Sequence, residues 1–149
     1  GAMDVVSRDL RARLGMLVYC VNWYQLPMLN NKGEDLNTLF SSHEHRFGVH
    51  AGDVETSVML ALQPQRVRMD LAQNFSSSAE QRATNFPILG NGRSAKLAWQ
   101  MQDYNPAGAA GNAAAANAQK GQALVEAAGR SLAQLLLEID RLPDSTLKI

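Results

Sequence analysis

HAGDVETSVML, residues 50–60, places a histidine and a carboxylate at the predicted start of a helix. Ala51 and Gly52 are small, so the backbone can come close to whatever His50 faces. Apolar residues at helical spacing follow, and they would hold the helix against a core. Glu55 falls in the first turn, where the helix dipole favours an ionised carboxylate that binds a metal or holds a proton donor. The stretch therefore indicates a core helix that begins at a chemical site.

The chain around this stretch has 149 residues, enough for one domain with a hydrophobic core. Its 14 basic and 14 acidic side chains cancel, and no basic stripe is interleaved with aromatic residues. No apolar run approaches the roughly 20 residues of a membrane span, and the N-terminus lacks the form of a signal peptide. We therefore expect neither nucleic acid nor a membrane as a partner.

The single cysteine and the first three residues indicate where the protein resides and which residues belong to the fold. Cys20 is the single cysteine and lies in an apolar run, which predicts a buried thiol in a reducing compartment and hence a cytoplasmic location. Residues 1–3, Gly-Ala-Met, look like the remnant of a cleaved expression tag, so they are left out of the fold prediction.

The first element is predicted to be a helix from about Val5 to Leu14, because apolar residues recur there at helical spacing. A continuous apolar run, residues 15–24, follows and is typical of a strand covered on both faces. A helix that leads into such a strand indicates an α/β fold with a mainly parallel sheet. Such a unit needs a preceding strand to complete its right-handed crossover, so we expect residues 4–149 to be the later part of a longer domain.

All three histidines fall within eight residues, at the end of a long loop-like segment over residues 25–49. His43 and His45 could both bind a metal if the loop folds back on itself. No second cluster of histidine or cysteine completes a four-ligand zinc pattern, however. We therefore expect these two histidines to be solvated or bonded to the backbone.

The last third of the chain has two predicted elements. Alternation of apolar and polar residues over 95–104 predicts a half-exposed strand. Alanine content and an apolar stripe predict one long helix over residues 113–142, with Asn112 as its N-cap. Gly121 and Gly129 each weaken such a helix by about 1 kcal/mol, and a close packing partner is the usual reason to keep them. Together the elements predict a partial three-layer α/β/α sandwich with a mainly parallel sheet and a long C-terminal helix.

Residues 50–60 resemble the His-Ala-Gly-(Glu/Asp)-x-Glu-Thr-Ser-x-Met-Leu signature of the creatininase family, the creatinine amidohydrolases. The resemblance extends over most of residues 4–144 through softer landmarks in the same order. These landmarks are the apolar run that ends in Asn22-Trp23, the step from Pro64 to Val67, and residues 111–121. The last of them is similar to the family's Gly-Asp-Pro…Ala-Thr…Lys-Gly helix start. Asn112 stands there in place of the acid, and Ala113 in place of the proline.

The resemblance implies an α/β/α amide hydrolase, typically a hexamer, that acts on cyclic amides, formamides or related C–N bonds. Two divalent ions, commonly zinc, manganese or iron, would activate a water that attacks the carbonyl carbon. The family's metal ligands come mainly from an early Glu-x-His…Asp motif and a later Asn-Gly-His segment, and neither occurs in this sequence. In the family both precede the part that this chain resembles. The expectation is therefore the C-terminal portion of such an enzyme, inactive by itself.

The resemblance implies roles for several residues and argues against one substrate. His50 would contact substrate and donate a proton to the leaving nitrogen, which suits a side chain that titrates near neutrality. Glu55 would be a metal ligand or the carboxylate that orients one, whereas Asp53 would cap the helix or point to solvent. Arg46 and its neighbour stand where creatininase itself has an aromatic residue and an acid, which disfavours creatinine and suits an anionic substrate. Trp23 is the second expected substrate contact.

Two functions remain open from the sequence. The chain is either the catalytic C-terminal portion of an amide hydrolase for small molecules, or a non-catalytic oligomerising or binding module derived from the same fold. Either would present an unpaired sheet edge and apolar surface. We therefore expect a homo-oligomer.

Overall fold

The computed structural model describes residues 1–148, which form helices joined by 3-10 turns and one small sheet. The α-helices of this part are α1 (Ala2–Leu14), α2 (Ser42–Phe47), α3 (Asp53–Leu62), α4 (Ser78–Asn85) and α5 (Ala118–Asp140). The strands are β1 (Asn74–Phe75) and β2 (Gly111–Asn112). The 3-10 turns are Trp23–Gln25, Leu36–Leu39, Pro64–Arg66, Met69–Leu71, Leu89–Asn91, Met101–Asp103, Ala113–Ala115 and Asp144–Thr146.

The chain divides into two compact units, and residues 29–126 make up the larger one. Its strands β1 and β2 pair antiparallel, with Asn74 opposite Asn112. Next to this pair His50 bridges Ala110, whose backbone N–H donates to the His50 carbonyl at 2.9 Å. The bridge therefore fixes the backbone of His50 against the small sheet. Buried apolar side chains of this unit are Leu36, Phe40, Ala109, Ala110, Ala113 and Leu124.

Helix α3 packs closely on the first turns of α5. Ser57, on α3, is completely buried, and a Cβ on Gly121 would overlap its carbonyl oxygen. Only glycine lets the two backbones approach this closely. The expected close packing partner is thus confirmed for Gly121. It is wrong for Gly129, because a Cβ there would meet nothing within 4 Å.

The smaller unit combines residues 1–28 with the chain from residue 127 onward. Its helix α1 confirms the helix predicted from Val5 to Leu14, and Gly15 ends it with a left-handed backbone at φ 63°. None of the α1 residues is buried. Arg11 donates from Nη2 to the Lys148 carbonyl at 2.8 Å within the same unit.

The two strands predicted from apolar patterns are wrong for the described structure. Residues 15–22 and 95–100 have no regular secondary structure, and the sheet that is present has one antiparallel pair instead of a mainly parallel arrangement. β-branched and aromatic residues favour an extended backbone, but a strand also needs a neighbour to accept its hydrogen bonds. No other segment between residues 1 and 148 supplies that neighbour to either run. The fold class is accordingly a helix-rich α/β chain.

Two further details differ from the sequence predictions. Helix α5 begins at Ala118 and not near Ala113, because Asn112 is paired in β2 and Asn117 provides the cap, its Oδ1 accepting from the Lys120 N–H at 3.0 Å. Alanine propensity supports the helix but does not set its start. Cys20 was expected to be buried and is exposed, because the run that contains it has no covering neighbour. No helix within residues 1–148 is long and apolar enough to cross a bilayer.

Candidate functional site

The start of α3 brings His50 and Glu55 into contact. The Nδ1 atom of His50 lies 3.1 Å from Oε2 of Glu55, and both side chains are more than half exposed. The same Oε2 accepts a hydrogen bond from the Ala51 backbone N–H at 2.5 Å. Glu55 thus contacts the imidazole through one ring nitrogen, Nδ1.

The backbone between these two side chains is strained at one residue. Ala51 has φ 55°, and among residues 1–148 it is the non-glycine residue with a positive φ. Such a conformation is uncommon outside glycine and persists where its surroundings over-determine it. Here the Glu55 carboxylate binds its N–H and the Thr56 hydroxyl donates to its carbonyl at 3.2 Å. Strain of this kind clusters at functional sites.

A buried carboxylate, Glu44, binds the backbone next to this turn. Glu44, on α2, is 5% exposed, and its Oε1 accepts from the Asp53 N–H at 2.7 Å. Its Oε2 accepts from the Asn112 N–H at 2.8 Å. Glu44 therefore ties α2, the N-terminus of α3 and β2 together. The sequence analysis missed this residue.

Glycines make the space for the Glu44 carboxylate. A Cβ on Gly52 would overlap its Oε1, and a Cβ on Gly48 or Gly111 would lie 2.8 Å from the same atom. Gly111 also has φ 137°, a conformation that favours glycine. Three glycines converging on one acid are a packing constraint that spacing alone does not reveal.

The first acid of the motif, Asp53, does not point to solvent as expected. It is 5% exposed, and both of its carboxylate oxygens lie 2.6 Å from Nζ of Lys120. Ser57 donates to Oδ1 at 3.0 Å, and the ammonium of Lys120 lies 5.0 Å from the Phe40 ring centre. A desolvated charge needs such a partner, so the pair locks α5 to the start of α3.

The other two histidines, His43 and His45, lie on α2 instead of in a loop, and both have structural partners. His45 Nε2 lies 2.8 Å from the Asn37 carbonyl oxygen, which confirms the expected bond to the backbone. His43 Nε2 lies 3.4 Å from Oε2 of Glu80, and its side chain is 55% exposed, so it stays in contact with solvent as expected. The pKa of the Glu80 carboxyl is lowered, mainly by the hydrogen bond from the Ser77 N–H; partial burial opposes this, and His43 adds to it.

A cleft of about 470 Å³ opens beside the turn, and Arg46 forms part of its wall. Val49, the residue before His50, lines it as well. The sequence predicted Arg46 as a substrate contact but did not single out Arg82, Lys96 and Trp99, which also line the cleft. The second proposed contact, Trp23, is 43% exposed and belongs to the smaller unit.

The donors needed for a metal are partly present. His50 and Glu55 offer one imidazole and one carboxylate of the kind that zinc, manganese or iron accepts. A catalytic zinc usually has three protein ligands, and no group of three or more histidine, cysteine, aspartate or glutamate side chains in the described chain could hold an ion. These residues by themselves do not fit a complete metal site.

Comparison with known proteins gives two matches. The sequence profile of the creatininase family, described as creatinine amidohydrolase, matches residues 1–136. A solved structure from Bacteroides fragilis NCTC 9343, a protein provisionally assigned as a creatinine amidohydrolase, superposes with a TM-score of 0.68 at 25% sequence identity. No curated protein sequence matches the chain.

The structural match also defines how much of the relative this chain represents. It covers 95% of this chain and 51% of the Bacteroides protein. The chain therefore spans about half the length of the solved protein that it resembles.

Proposed function

Because the chain belongs to the creatininase family, we propose that it carries the His50–Glu55 part of the active site of an amide hydrolase that cleaves a C–N bond in a small cyclic amide, formamide or related molecule. The observation that carries the proposal is the 3.1 Å contact between His50 Nδ1 and Glu55 Oε2, made at the helix start within the family motif. A strained residue between them, Ala51 at φ 55°, supports it.

His50 acts as the proton donor. Glu55 accepts the hydrogen of Nδ1, which orients the ring and leaves Nε2 to give a proton to the departing nitrogen. Stabilising an imidazolium in this way is the usual role of a carboxylate behind a catalytic histidine. Exposure of more than half of each side chain gives a substrate access to them.

A divalent metal, zinc, manganese or iron, would supply an activated water and polarise the carbonyl group in the complete site. Glu55 is proposed as one ligand or as the carboxylate that orients one. Since the described residues do not complete a metal site, the steps assigned here to His50 and Glu55 do not depend on one.

The complete enzyme is proposed to be longer than this chain. The chain spans 51% of the Bacteroides protein, which supports residues 4–149 as the C-terminal portion of a creatininase-like domain that is inactive alone. In the complete domain, residues 15–24 would join the mainly parallel sheet of an α/β/α sandwich. A strand added beside them would supply the backbone hydrogen-bond partners that a strand needs.

Assembly and location are also proposed. Exposed apolar side chains are concentrated in the smaller unit, which favours a homo-oligomer. Examples are Val5, Val6, Leu14, Met16, Leu17, Tyr19, Val21, Leu136 and Leu137. A non-catalytic oligomerising module would share this surface. A free, exposed Cys20 is compatible with the reducing conditions of a cytoplasm.

The test replaces His50 with alanine in the complete protein that contains this chain. Turnover of a cyclic amide or a formamide is expected to fall at least about 100-fold, the usual loss on removing a general acid, while bound metal is unchanged. Steady-state kinetics and elemental analysis give the two readouts.

His45→Ala is the matched control, because His45 bonds to the Asn37 carbonyl and takes no part in the turn at Ala51. It should retain turnover. Unchanged turnover in His50→Ala would exclude the proposed proton donor, and a complete protein that neither binds metal nor cleaves an amide would favour the non-catalytic module.

A further inference from the structure

The cleft beside Val49 is lined by positive and aromatic side chains. Its volume of about 470 Å³ lies in the range of small-molecule sites. Arg46 contributes from α2, Arg82 from α4, and Lys96 from the segment that follows the turn at Leu89–Asn91. No aspartate or glutamate lines it.

The three cations of the cleft have no acidic partner. Within residues 1–148, no carboxylate lies within 4.0 Å of Arg46, Arg82 or Lys96. Some basic side chains outside the cleft are paired with an acid, as Lys120 is with Asp53 and Arg13 is with Asp9. A cleft that gathers three cations without a counter-ion favours a negatively charged ligand.

Aromatic rings hold the two guanidinium groups in place. The Arg46 guanidinium lies 4.8 Å from the Phe47 ring centre, and that of Arg82 lies 5.0 Å from the Tyr104 ring centre. Arg82 is further fixed by donating from Nη1 to Ser78 Oγ at 2.8 Å. Guanidinium groups fixed this way present a planar fork to an oxyanion and lose less freedom when they bind it.

A flat surface for the rest of the ligand is also present. Trp99 lines the cleft, is 44% exposed and meets Tyr104 edge to face at 5.4 Å between ring centres. An exposed indole whose edge is fixed by a second ring can take a planar group on its open face.

We propose that this cleft binds a planar organic anion, a ring that carries a carboxylate or phosphate group, with the oxyanion on Arg46 and Arg82 and the ring against Trp99. Val49 lines the cleft and His50 follows it directly, so the cleft serves as the subsite that holds the charged end of the substrate. This role as a subsite rests on the proposed function. The binding itself does not.

The test is a fluorescence titration of the 149-residue chain with benzoate and with phenyl phosphate. The chain has two tryptophans, so Trp23→Phe leaves Trp99 as the reporter. Both anions should change the emission saturably, with Kd on the order of 1 mM for ligands this small. Benzamidine, a cation with the same ring, should bind at least about tenfold more weakly, because its charge opposes those of the cleft.

Variants then assign the binding to the two arginines. The double variant Arg46→Gln, Arg82→Gln should weaken benzoate at least about tenfold, because each position loses its charge and its fork. Arg66→Gln, an exposed arginine outside the cleft, is the matched control and should leave Kd unchanged. The comparison of benzoate with benzamidine is made in the Trp23→Phe variant, which keeps both arginines. It therefore tests the inference even if the double variant does not fold.

Equal affinity for benzamidine and benzoate, an unchanged Kd in a folded double variant, or no saturable response would each overturn the inference. Benzoate has no amide bond, so its titration reads the cleft independently of catalysis. If the complete protein hydrolyses an amide but the cleft does not bind benzoate, only the subsite is refuted. If the cleft binds benzoate but the complete protein shows no turnover, only the proposed hydrolysis is refuted.

Discussion

At the residue scale, the Glu44 carboxylate is the group on which the shape of the site depends most. It accepts the N–H groups of Asp53 and Asn112 and is 5% exposed. Glu44→Ala would leave both donors without a partner, which should lower the free energy of unfolding by about 2 to 4 kcal/mol. Urea denaturation measures the change. Glu126→Ala, an exposed position on α5, is the control, and an equal effect of both substitutions would contradict the role given to Glu44.

Glu55 gives a second prediction at this scale. Glu55→Gln keeps a side chain that can accept from the Ala51 N–H but removes the charge that faces His50. In the complete protein, kcat should fall roughly 10- to 100-fold, the range seen when the partner of a catalytic or metal-binding group is lost. The free energy of unfolding should change little. If Glu55→Gln lowers the free energy of unfolding but leaves kcat unchanged, the contact between His50 and Glu55 has only a structural role.

The sequence indicated the candidate residues that lie within one short stretch of the chain. It did not indicate the pairs of residues that are distant in sequence and come into contact only in the folded chain. His50 directly precedes the turn that leads into α3 and Glu55 lies in the first turn of α3, so their contact is local to the motif. Lys120 lies 67 residues from Asp53, and Asn112 lies 68 from Glu44. No spacing rule connects such pairs, which is why Asp53 was wrongly expected at a cap or in solvent.

At the element scale, two glycines of α5 should respond oppositely to the same substitution. Gly121→Ala would drive a methyl group into the backbone of Ser57 and should destabilise the chain by about 2 kcal/mol or more. Gly129→Ala meets open space and should stabilise it by up to about 1 kcal/mol, since alanine favours a helix. Thermal or urea unfolding gives both values. Destabilisation by both substitutions would mean that Gly129 also has a close neighbour.

The start of α4 predicts a dependence of stability on pH. Glu80 accepts from the Ser77 N–H at 3.0 Å, and its pKa in the folded chain is below the ordinary 4.5. A depressed pKa contributes stability that is fully present above the unfolded value and is lost as pH falls through the folded value. Glu80→Gln keeps the hydrogen bond and removes the titration, so it should unfold at lower urea than the parent at pH 7, and the two midpoints should converge as pH falls below the pKa of Glu80 in the folded chain.

Glu126→Gln is the matched control for that titration, because it removes an exposed carboxylate from a helix interior instead of a helix start. If the urea midpoints of the parent and Glu80→Gln differ by the same amount at pH 7 and at acidic pH, the charge of Glu80 contributes nothing to the cap.

Whole elements were predictable where their hydrogen bonds are internal. Helix α1 and the body of α5 follow from periodicity and alanine content because a helix satisfies its own backbone. The predicted strands at 15–24 and 95–104 failed because a strand depends on a partner elsewhere in the chain. The apolar character of residues 15–24 follows from the sequence, but the structure leaves residues 15–22 without regular secondary structure and places Trp23 and Tyr24 in a 3-10 turn.

At the scale of the whole molecule, the exposed apolar surface predicts self-association. Leu132, Leu136 and Leu137 of α5 are each at least 40% exposed, as are Val5 and Val6 of α1. Surfaces of this kind are usually covered in a native assembly. Analytical ultracentrifugation of the 149-residue chain should therefore show a species larger than a monomer. A monomer at the highest attainable concentration would contradict the homo-oligomer.

This chain is proposed to supply a proton donor, His50, and its carboxylate partner, Glu55, to an amide hydrolase. The most direct measurement is proton NMR of cyclic amides and formamides incubated with the complete, metal-supplied protein. We predict that the amide signals of at least one compound are replaced by those of the carboxylic acid and amine products, and that His50→Ala stops this. A folded, metal-loaded protein that leaves every compound intact would contradict the account.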